Sequence, residues 1–157
     1  MDRSNAFVLV GCVGAGKSSL FQALFDKDEP ARKTQAVVFE GDRGVDTPGE
    51  FFSHPRMYTA LIQTTADVGT LVYVHDGTEA NFRMPPGLLS VYRGKRVVAV
   101  ITKTDLPDCD ADRAERLLRR NGFDGQIFRV SQADPDSIRR LRSELLPSTT
   151  NVRETQS

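Results

Sequence analysis

The glycine-rich run at residues 11–18 is the segment whose residue types and spacing point most directly to chemistry. It spells G-x-x-x-x-G-K-S directly after an apolar stretch at residues 6–10. Glycines let backbone N–H groups curl around a phosphate, while Lys17 reaches the β- and γ-phosphates and the Ser18 hydroxyl can ligate Mg²⁺. The alternative is a strand-to-helix turn that binds nothing. We assign nucleotide contacts to the run and the residue after it: Gly11, Cys12, Val13, Gly14, Ala15, Gly16, Lys17, Ser18 and Ser19.

A second motif, D-T-P-G at residues 46–49, stands where a short third strand should end. It resembles the D-x-x-G element of small GTPases, in which the aspartate holds Mg²⁺ through a water and the glycine N–H senses the γ-phosphate. Asp46 and Gly49 would take these roles here. Such a glycine contact makes a switch, because it exists only while the third phosphate does. The alternative is a surface turn nucleated by Pro48 and Gly49.

Further residues are assigned to the hydrolytic step by their position relative to these motifs. Thr34, in the polar loop between them, is the candidate for a metal-ligating threonine, and Arg32 could stabilise charge on the transferred phosphoryl group. A plain loop threonine and a solvated arginine are the alternatives. Glu50 takes the place of the water-orienting glutamine of Ras-like proteins, where its negative charge should raise the barrier. Val13 should obstruct a catalytic arginine supplied by a partner protein, so we predict slow hydrolysis. We assign catalysis to Lys17, Glu50 and Arg32.

The run T-K-T-D at residues 102–105 closes an apolar strand and resembles the base-reading element of the same superfamily. Asp105 would accept hydrogen bonds from guanine, and the Lys103 stem would pack on the base. Thr102 replaces the commoner asparagine, so we expect a looser tie to the glycine-rich loop and weaker base discrimination. Ser131 and Gln132 form a degenerate further base contact. The expected ligands are GTP or GDP with Mg²⁺, and ATP stays open.

Strands and helices alternate along the chain as in a doubly wound α/β protein. Continuous apolar runs predict buried, mostly parallel strands at 6–10, 36–39, 70–75, 96–101 and 126–130. A tight turn at residues 40–44 leads to a very short strand before Asp46. Helical patterns occupy 17–25, about 55–65, 111–120 and 135–146, with a turn or two at 87–92 and a stop at Gly122. The expected fold is a P-loop NTPase of the small-GTPase type, with helices on both faces of the sheet.

Composition limits the possible partners. The 157 residues carry 21 basic and 21 acidic side chains, and this balance argues against nucleic acid or an anionic membrane. Two cysteines and no long apolar segment indicate a cytoplasmic protein without a membrane span. We expect one nucleotide-binding domain over residues 1–146 and a disordered tail over 147–157. His75, at the end of the fourth strand, is interpreted as structural.

Several motifs together resemble the EutP/PduV family of small P-loop proteins. They include K-T-Q-A at residues 33–36, D-T-P-G-E-F-F-S-H-P-R at residues 46–56 and T-K-T-D at residues 102–105. The resemblance implies a bacterial protein of ethanolamine or related catabolism, associated with microcompartments. Shell proteins or other ethanolamine-utilisation proteins are then the implied partners. Because the N-terminus is too short for an amphipathic targeting helix, attachment outside a shell fits better than packaging within it.

Three functions follow from these observations. We favour a regulatory GTPase whose GTP and GDP forms differ in the switch loops. The first alternative is an acetate kinase-like enzyme that passes the γ-phosphoryl group of ATP to a carboxylate. For its acceptor the sequence offers only the polar groups of Arg32, His54 and Arg56. The second alternative is a structural nucleotide-binding module that does not hydrolyse.

Overall fold

One sheet organises the part of the chain that the computed structural model describes, which is residues 4–25, 38–41, 43–84, 87–92 and 94–146. Its strands are β1 (Phe7–Val10), β2 (Val38–Glu40), β3 (Gly44–Asp46), β4 (Thr70–Asp76), β5 (Arg96–Thr102) and β6 (Ile127–Arg129). They lie in the order β2-β3-β1-β4-β5-β6. The pairs from β3 to β6 are parallel, whereas β2 runs antiparallel to β3.

The strand order reverses direction next to β1. The chain goes from β1 to β3 on one side, and β4 then pairs with the other side of β1. In open parallel sheets, the loops beyond the carboxyl ends of strands diverge at such a point and leave a crevice for ligands. This crevice is where the glycine-rich loop leaves β1.

Helices cover both faces of the sheet, as predicted. They are α1 (Lys17–Leu24), α2 (Gly49–Ser53), α3 (Tyr58–Thr64), α4 (Leu88–Val91), α5 (Ala111–Arg120) and α6 (Pro135–Leu145), with a 3₁₀ turn over Pro55–Met57 before α3. Together with the sheet, these helices confirm the α/β class, the mostly parallel sheet and the fold type.

No helix of the described ranges is both long and apolar enough to cross a bilayer.

Alternating side chains on β1 divide the core into two layers. Phe7 and Leu9 pack with α1 and α6, while Val8 and Val10 pack with the helices on the opposite face. All four side chains are buried, and successive residues of a strand point to opposite faces. Each fully buried aliphatic or aromatic side chain of this kind contributes about 1.5–3 kcal/mol. The two layers hold β1 in place, and with it the start of the glycine-rich loop.

The helix expected at 55–65 differs from the observed structure. A separate helix, α2, begins at Gly49, and the predicted segment is a 3₁₀ turn followed by α3. Local propensity does not reveal α2, because it begins with glycine and has only five residues. Tertiary contact explains it: the Phe52 ring is buried and stacks on Tyr73, with centroids 5.5 Å apart.

The other predicted boundaries agree closely with the structure. Helix α5 covers the expected residues. Asp110 caps its N-terminus by accepting a hydrogen bond from the Arg113 N–H at 3.0 Å. Gly122, which follows the helix, has a φ of 93°. The short strand β3 and the turn before it are present. The tail expected at 147–157 lies outside the described residues.

Candidate functional site

The predicted site residues gather at the carboxyl edge of the sheet. The glycine-rich loop follows β1, residues 46–49 end β3 and begin α2, and the β5 loop (residues 102–105) ends β5. Ser131 comes shortly after β6. Because these strands run parallel within one sheet, their carboxyl ends lie along one edge, and this edge carries the crevice beside β1.

Left-handed glycines and close packing determine the shape of the glycine-rich loop. Gly14 and Gly16 have φ angles of 86° and 94°, which side chains with a Cβ rarely adopt. The Ala15 N–H donates to the Cys12 carbonyl at 3.1 Å. A Cβ at Gly11 would lie 2.6 Å from the Val74 carbonyl oxygen. The loop therefore has the tight, glycine-dependent curvature that the motif predicts.

Ser18, which follows Lys17 at the start of α1, contacts Asp46. Lys17 begins α1 and is only 6% exposed, and Asp46 at the end of β3 is 2% exposed. The Ser18 hydroxyl donates to Asp46 Oδ2 at 3.2 Å. Two predicted magnesium ligands, 28 residues apart in sequence, are thus in direct contact.

The donor set of Ser18 and Asp46 suits a magnesium ion. Mg²⁺ takes oxygen ligands and usually combines one or two carboxylates with substrate phosphates and water. Within the described ranges, no group of three or more His, Cys, Asp or Glu side chains could hold a metal on its own. A magnesium ion at this edge would therefore depend on Ser18, Asp46 and the oxygens of a bound phosphate.

The D-T-P-G segment is buried rather than an exposed turn. Thr47 is fully buried, and its hydroxyl donates to the Leu9 carbonyl at 2.8 Å. Gly49 lies so close to the glycine-rich loop that a Cβ would stand 2.6 Å from the Val13 nitrogen. The surface-turn alternative is wrong, and Gly49 is required for this close approach of α2 to Val13.

Three residues assigned to the hydrolytic step cannot be placed. Arg32 and Thr34 lie outside the described residues. The backbone of Glu50 belongs to α2, but its side chain is also outside the description. Their catalytic and metal-binding roles stay predictions.

Thr102 ties the β5 loop to the glycine-rich loop. Its hydroxyl, in a residue 5% exposed, donates to the Ala15 carbonyl at 2.7 Å. Thr102 thus joins the two loops directly, and its effect on base discrimination stays a prediction. A threonine hydroxyl reaches this carbonyl because Gly16 brings the loop close, with Thr102 Oγ1 only 3.6 Å from the place of a Cβ at that glycine.

Lys103 provides a second tie. It has a left-handed φ of 62°, and its ammonium donates to the Gly14 carbonyl at 2.7 Å and pairs with Asp76 Oδ2 at 2.8 Å. The other carboxylate oxygen, Asp76 Oδ1, accepts from the N–H and the hydroxyl of Thr78 at 2.8 and 2.7 Å. Burial raises the pKa of Asp76, but these hydrogen bonds and the Lys103 charge outweigh it and lower the pKa below its usual value.

The two predicted base-reading segments are in contact. The Ser131 hydroxyl donates to Asp105 Oδ1 at 2.7 Å and accepts from the Ala133 N–H at 2.9 Å. Asp105 and Gln132 are exposed, whereas Ser131 is buried. Asp105 is thus oriented by a neighbour from the β6 side while remaining accessible to a ligand.

Sequence reasoning missed a cavity of about 270 Å³ on the β4 side of the glycine-rich loop. Its walls include Val13, Tyr73, His75, Glu79 and Arg83, and Asp76 also lines it. The signal for Asp76 was its position at the end of β4, on the same edge as the other motifs. Glu79 and Arg83 lie in a stretch without regular structure, so no helical or strand pattern in the sequence indicates their position. His54 and Arg56 do not line this cavity.

His75 is buried and hydrogen-bonded on both ring nitrogens, which confirms its structural interpretation. Nε2 lies 3.2 Å from the Glu79 carbonyl, which can only accept, so Nε2 carries the proton. Nδ1 then accepts from the Tyr73 hydroxyl at 3.0 Å. Burial lowers the pKa of His75 and raises that of Tyr73, so both groups are neutral near pH 7.

Comparison with known proteins identifies one family over most of the chain. The family model PduV-EutP, described as ethanolamine utilisation and propanediol utilisation, matches residues 4–146. This range includes every site residue discussed above.

Named relatives agree with this match. A protein of Salmonella typhimurium named "Probable acetate kinase EutP" is 52% identical over 132 residues, which is 84% of this chain and 83% of that protein. A protein of Escherichia coli with the same name is 48% identical over the same shares. The "Propanediol utilization protein PduV" of Citrobacter freundii is 33% identical over 101 residues, or 63% of this chain and 65% of that protein.

Proposed function

Because the chain belongs to the PduV-EutP family, which is linked to ethanolamine and propanediol utilisation, we propose that it is a guanine-nucleotide-binding protein of that metabolism. In this proposal it binds GTP or GDP with Mg²⁺ and hydrolyses GTP slowly without a partner. Its partners are other proteins of the pathway or of a microcompartment shell, and its place is the cytoplasm, in association with such a shell.

The observation that carries the proposal is the junction between the β5 loop and the glycine-rich loop. Thr102 and Lys103 bond the carbonyls of Ala15 and Gly14, and Asp105 stands exposed beside Ser131. A nucleotide whose phosphates lie in the glycine-rich loop would therefore direct its base toward a carboxylate. Guanine offers N1–H and N2–H donors to such an acceptor, whereas adenine does not.

Charged groups below the loop would hold the phosphates. The Lys17 ammonium neutralises β- and γ-phosphate charge, and the backbone N–H groups at the start of α1 add favourable dipoles. Ser18 and Asp46, in contact at 3.2 Å, would hold Mg²⁺, which supplies further charge neutralisation when bound. Thr34 and Arg32 are proposed to complete the metal and γ-phosphate contacts from the first switch loop.

Slow hydrolysis follows from the residues around the γ-phosphate position. The Gly49 backbone packs against Val13, a residue that is 45% exposed at the entrance to the loop. The Val13 side chain narrows the route by which a partner's arginine could reach the phosphate. Glu50 follows Gly49 in the chain, and a carboxylate close to the negatively charged γ-phosphate raises the barrier to hydrolysis.

Base preference tests the proposal. We expect fluorescent GDP to bind the Mg²⁺-loaded protein at least about tenfold more tightly than fluorescent ADP, since one charged hydrogen-bond pair separates them. Asp105→Asn should remove this preference and raise the affinity for xanthosine diphosphate. Asp124→Asn, an exposed change before β6, is the matched control. Equal GDP and ADP affinities in the unchanged protein would contradict guanine recognition, and Lys17→Ala should abolish binding of both nucleotides.

A second function is favoured by the cavity beside the glycine-rich loop together with the name that two relatives carry, "Probable acetate kinase EutP". Phosphoryl transfer to a carboxylate forms a bond between a carboxylate oxygen and the γ-phosphorus and breaks the bond to the β,γ-bridging oxygen. No proton needs to be removed from the acceptor, so no general base is required.

Acceptor dependence separates the candidates. A carboxylate kinase should release little phosphate alone and should form an acyl phosphate, trapped by hydroxylamine, when acetate and ATP or GTP are supplied. A switch GTPase should turn over at the same slow rate with and without acetate. No phosphate release in single-turnover experiments, with or without acetate, would indicate a non-hydrolysing binding module.

A further inference from the structure

Asp76 and Lys103 lie on neighbouring segments at the edge that carries the proposed nucleotide site. Asp76 ends β4 opposite Thr102 at the end of β5, and Lys103 is the next residue after Thr102. The Gly77 N–H donates to the Thr102 carbonyl at 2.9 Å, and a Cβ at Gly77 would stand 2.6 Å from that oxygen. The two segments therefore run close together beyond the strands, which fixes the backbone of Asp76 relative to that of Lys103.

Neighbouring donors orient the carboxylate of Asp76. Its Oδ1 accepts from the N–H and the hydroxyl of Thr78 at 2.8 and 2.7 Å, and its Oδ2 accepts from the Lys103 ammonium at 2.8 Å. The side chains of Asp76 and Lys103 are only 21% and 35% exposed. A charged pair held by several hydrogen bonds in one geometry is stronger than a mobile surface pair. The pair therefore constrains where the Lys103 side chain lies.

The backbone of Lys103 needs such a constraint. Its φ is 62°, a left-handed conformation that no other residue with a Cβ adopts in the described part of the chain. A strained conformation of this kind persists only where its surroundings over-determine it. Here the ammonium is held from two sides, by Asp76 Oδ2 and by the Gly14 carbonyl at 2.7 Å. The stem of Lys103 thereby spans the distance from the β5 loop to the glycine-rich loop.

Asp76 itself is unsuited to contact a bound nucleotide. Both of its carboxylate oxygens have partners in the protein, and its negative charge would repel phosphates. The stem of Lys103 is instead the surface on which a base would pack, an assignment that rests on the proposed nucleotide function. We propose that Asp76 is a positioning residue, which holds Lys103 across the two loops and so shapes the surface that receives the base.

Competitive acylation of lysines in the purified, nucleotide-free protein tests the positioning directly. Asp76→Ala should release the Lys103 ammonium and raise its acylation rate at least about threefold, as measured by mass spectrometry. Lys95 is the internal reference, because three backbone carbonyls, from residues 65, 66 and 68, hold its ammonium. Its acylation rate should stay unchanged. An unchanged rate at Lys103, or an equal rise at both lysines, would overturn the proposal.

A double-mutant cycle on GDP affinity tests the consequence for the ligand. Asp76→Ala should weaken GDP binding to the Mg²⁺-loaded protein at least about fivefold. In a Lys103→Met background the same change should weaken it less than about twofold, because Asp76 acts through Lys103. Equal losses in both backgrounds would show a merely structural role and overturn the proposal.

Two further variants sharpen the cycle. Asp76→Asn keeps an oxygen for Lys103 without the charge and should give a GDP affinity between those of the unchanged protein and Asp76→Ala. Asp108→Ala removes an exposed carboxylate shortly after Asp105 and should leave GDP affinity unchanged.

The two measurements separate this inference from the proposed function. If Lys103 acylation responds to Asp76→Ala but no nucleotide binds the unchanged protein, the nucleotide function fails and the hold of Asp76 on Lys103 stands. If GDP binds but Lys103 acylation does not respond, the nucleotide function stands and the role of Asp76 fails.

Discussion

Thr102 connects two functional loops through one hydroxyl group. Its Oγ1 lies 2.7 Å from the Ala15 carbonyl, inside the junction between the β5 loop and the glycine-rich loop. A buried carbonyl that loses its donor costs about 1–3 kcal/mol, because water cannot replace the missing hydrogen bond. The contribution of this residue is therefore to position the loop rather than to contact a reacting group.

Thr102→Val keeps the shape of the side chain and removes only the hydroxyl. We expect the free energy of unfolding to fall by about 1–3 kcal/mol and nucleotide affinity to fall with it, since Ala15 belongs to the run that we propose binds phosphate. Urea unfolding and nucleotide titration measure the two effects. Thr59→Val, on an exposed position of α3, is the control. Unchanged stability in Thr102→Val would show that the hydroxyl contributes nothing to the tie.

The site was predictable where spacing alone specifies geometry. The contact of Ser18 with Asp46 follows from two motifs at the ends of adjacent parallel strands, β1 and β3. The partner of the Thr102 hydroxyl was not predictable, because residue type does not reveal how closely Gly16 brings the loops together. The cavity beside the glycine-rich loop was missed for a related reason: segments that are distant in sequence form it.

Helix α2 shows how tertiary contact can create an element that local sequence does not favour. It has five residues and begins at Gly49, yet Phe52 anchors it on Tyr73. The longer elements β1, β4, β5, α5 and α6 were predictable, since their apolar periodicity extends over enough residues. Short elements lack this signal, and their boundaries depend on packing.

Gly49→Ala tests the contact between α2 and the glycine-rich loop. A Cβ would lie 2.6 Å from the Val13 nitrogen, so α2 or the loop must shift. We expect a loss of about 1–3 kcal/mol in unfolding free energy, together with weaker nucleotide binding. Gly87→Ala is the control for nucleotide binding: a Cβ there meets no atom within 4 Å, so the change adds only the strain of a positive φ, about 1–2 kcal/mol, and should leave nucleotide affinity unchanged.

At the scale of the whole molecule, the neutral His75 makes folding sensitive to acid. It sits on the central strand β4, buried between Tyr73 and the Glu79 carbonyl. Burial lowers its pKa from an ordinary value of about 6.5. Below that value the unfolded chain binds a proton that the folded chain does not, so stability falls with falling pH until the lowered pKa of the folded state is reached.

Urea unfolding between pH 7.5 and 5.5 measures this effect. The unfolding free energy should decrease on acidification by up to about 1.4 kcal/mol per pH unit for the one proton involved. His75→Gln should flatten the dependence over this interval, whereas His54→Gln, at an exposed loop position, should preserve it. An unaltered slope in His75→Gln would assign the acid sensitivity to other groups.

The bonds from Thr102 and Lys103 to the glycine-rich loop also bear on the kinetics of ligand capture. Both bonds join groups of the protein itself, so they fix the two loops of the proposed nucleotide site relative to one another. Nucleotide binding then has only a small entropic cost for ordering these two loops. A small cost favours both a high affinity and a fast association rate. A protein that accelerates nucleotide release would accordingly raise the release rate little by displacing the β5 loop alone. Displacing the segment that contains Ser18 and Asp46 would raise it more.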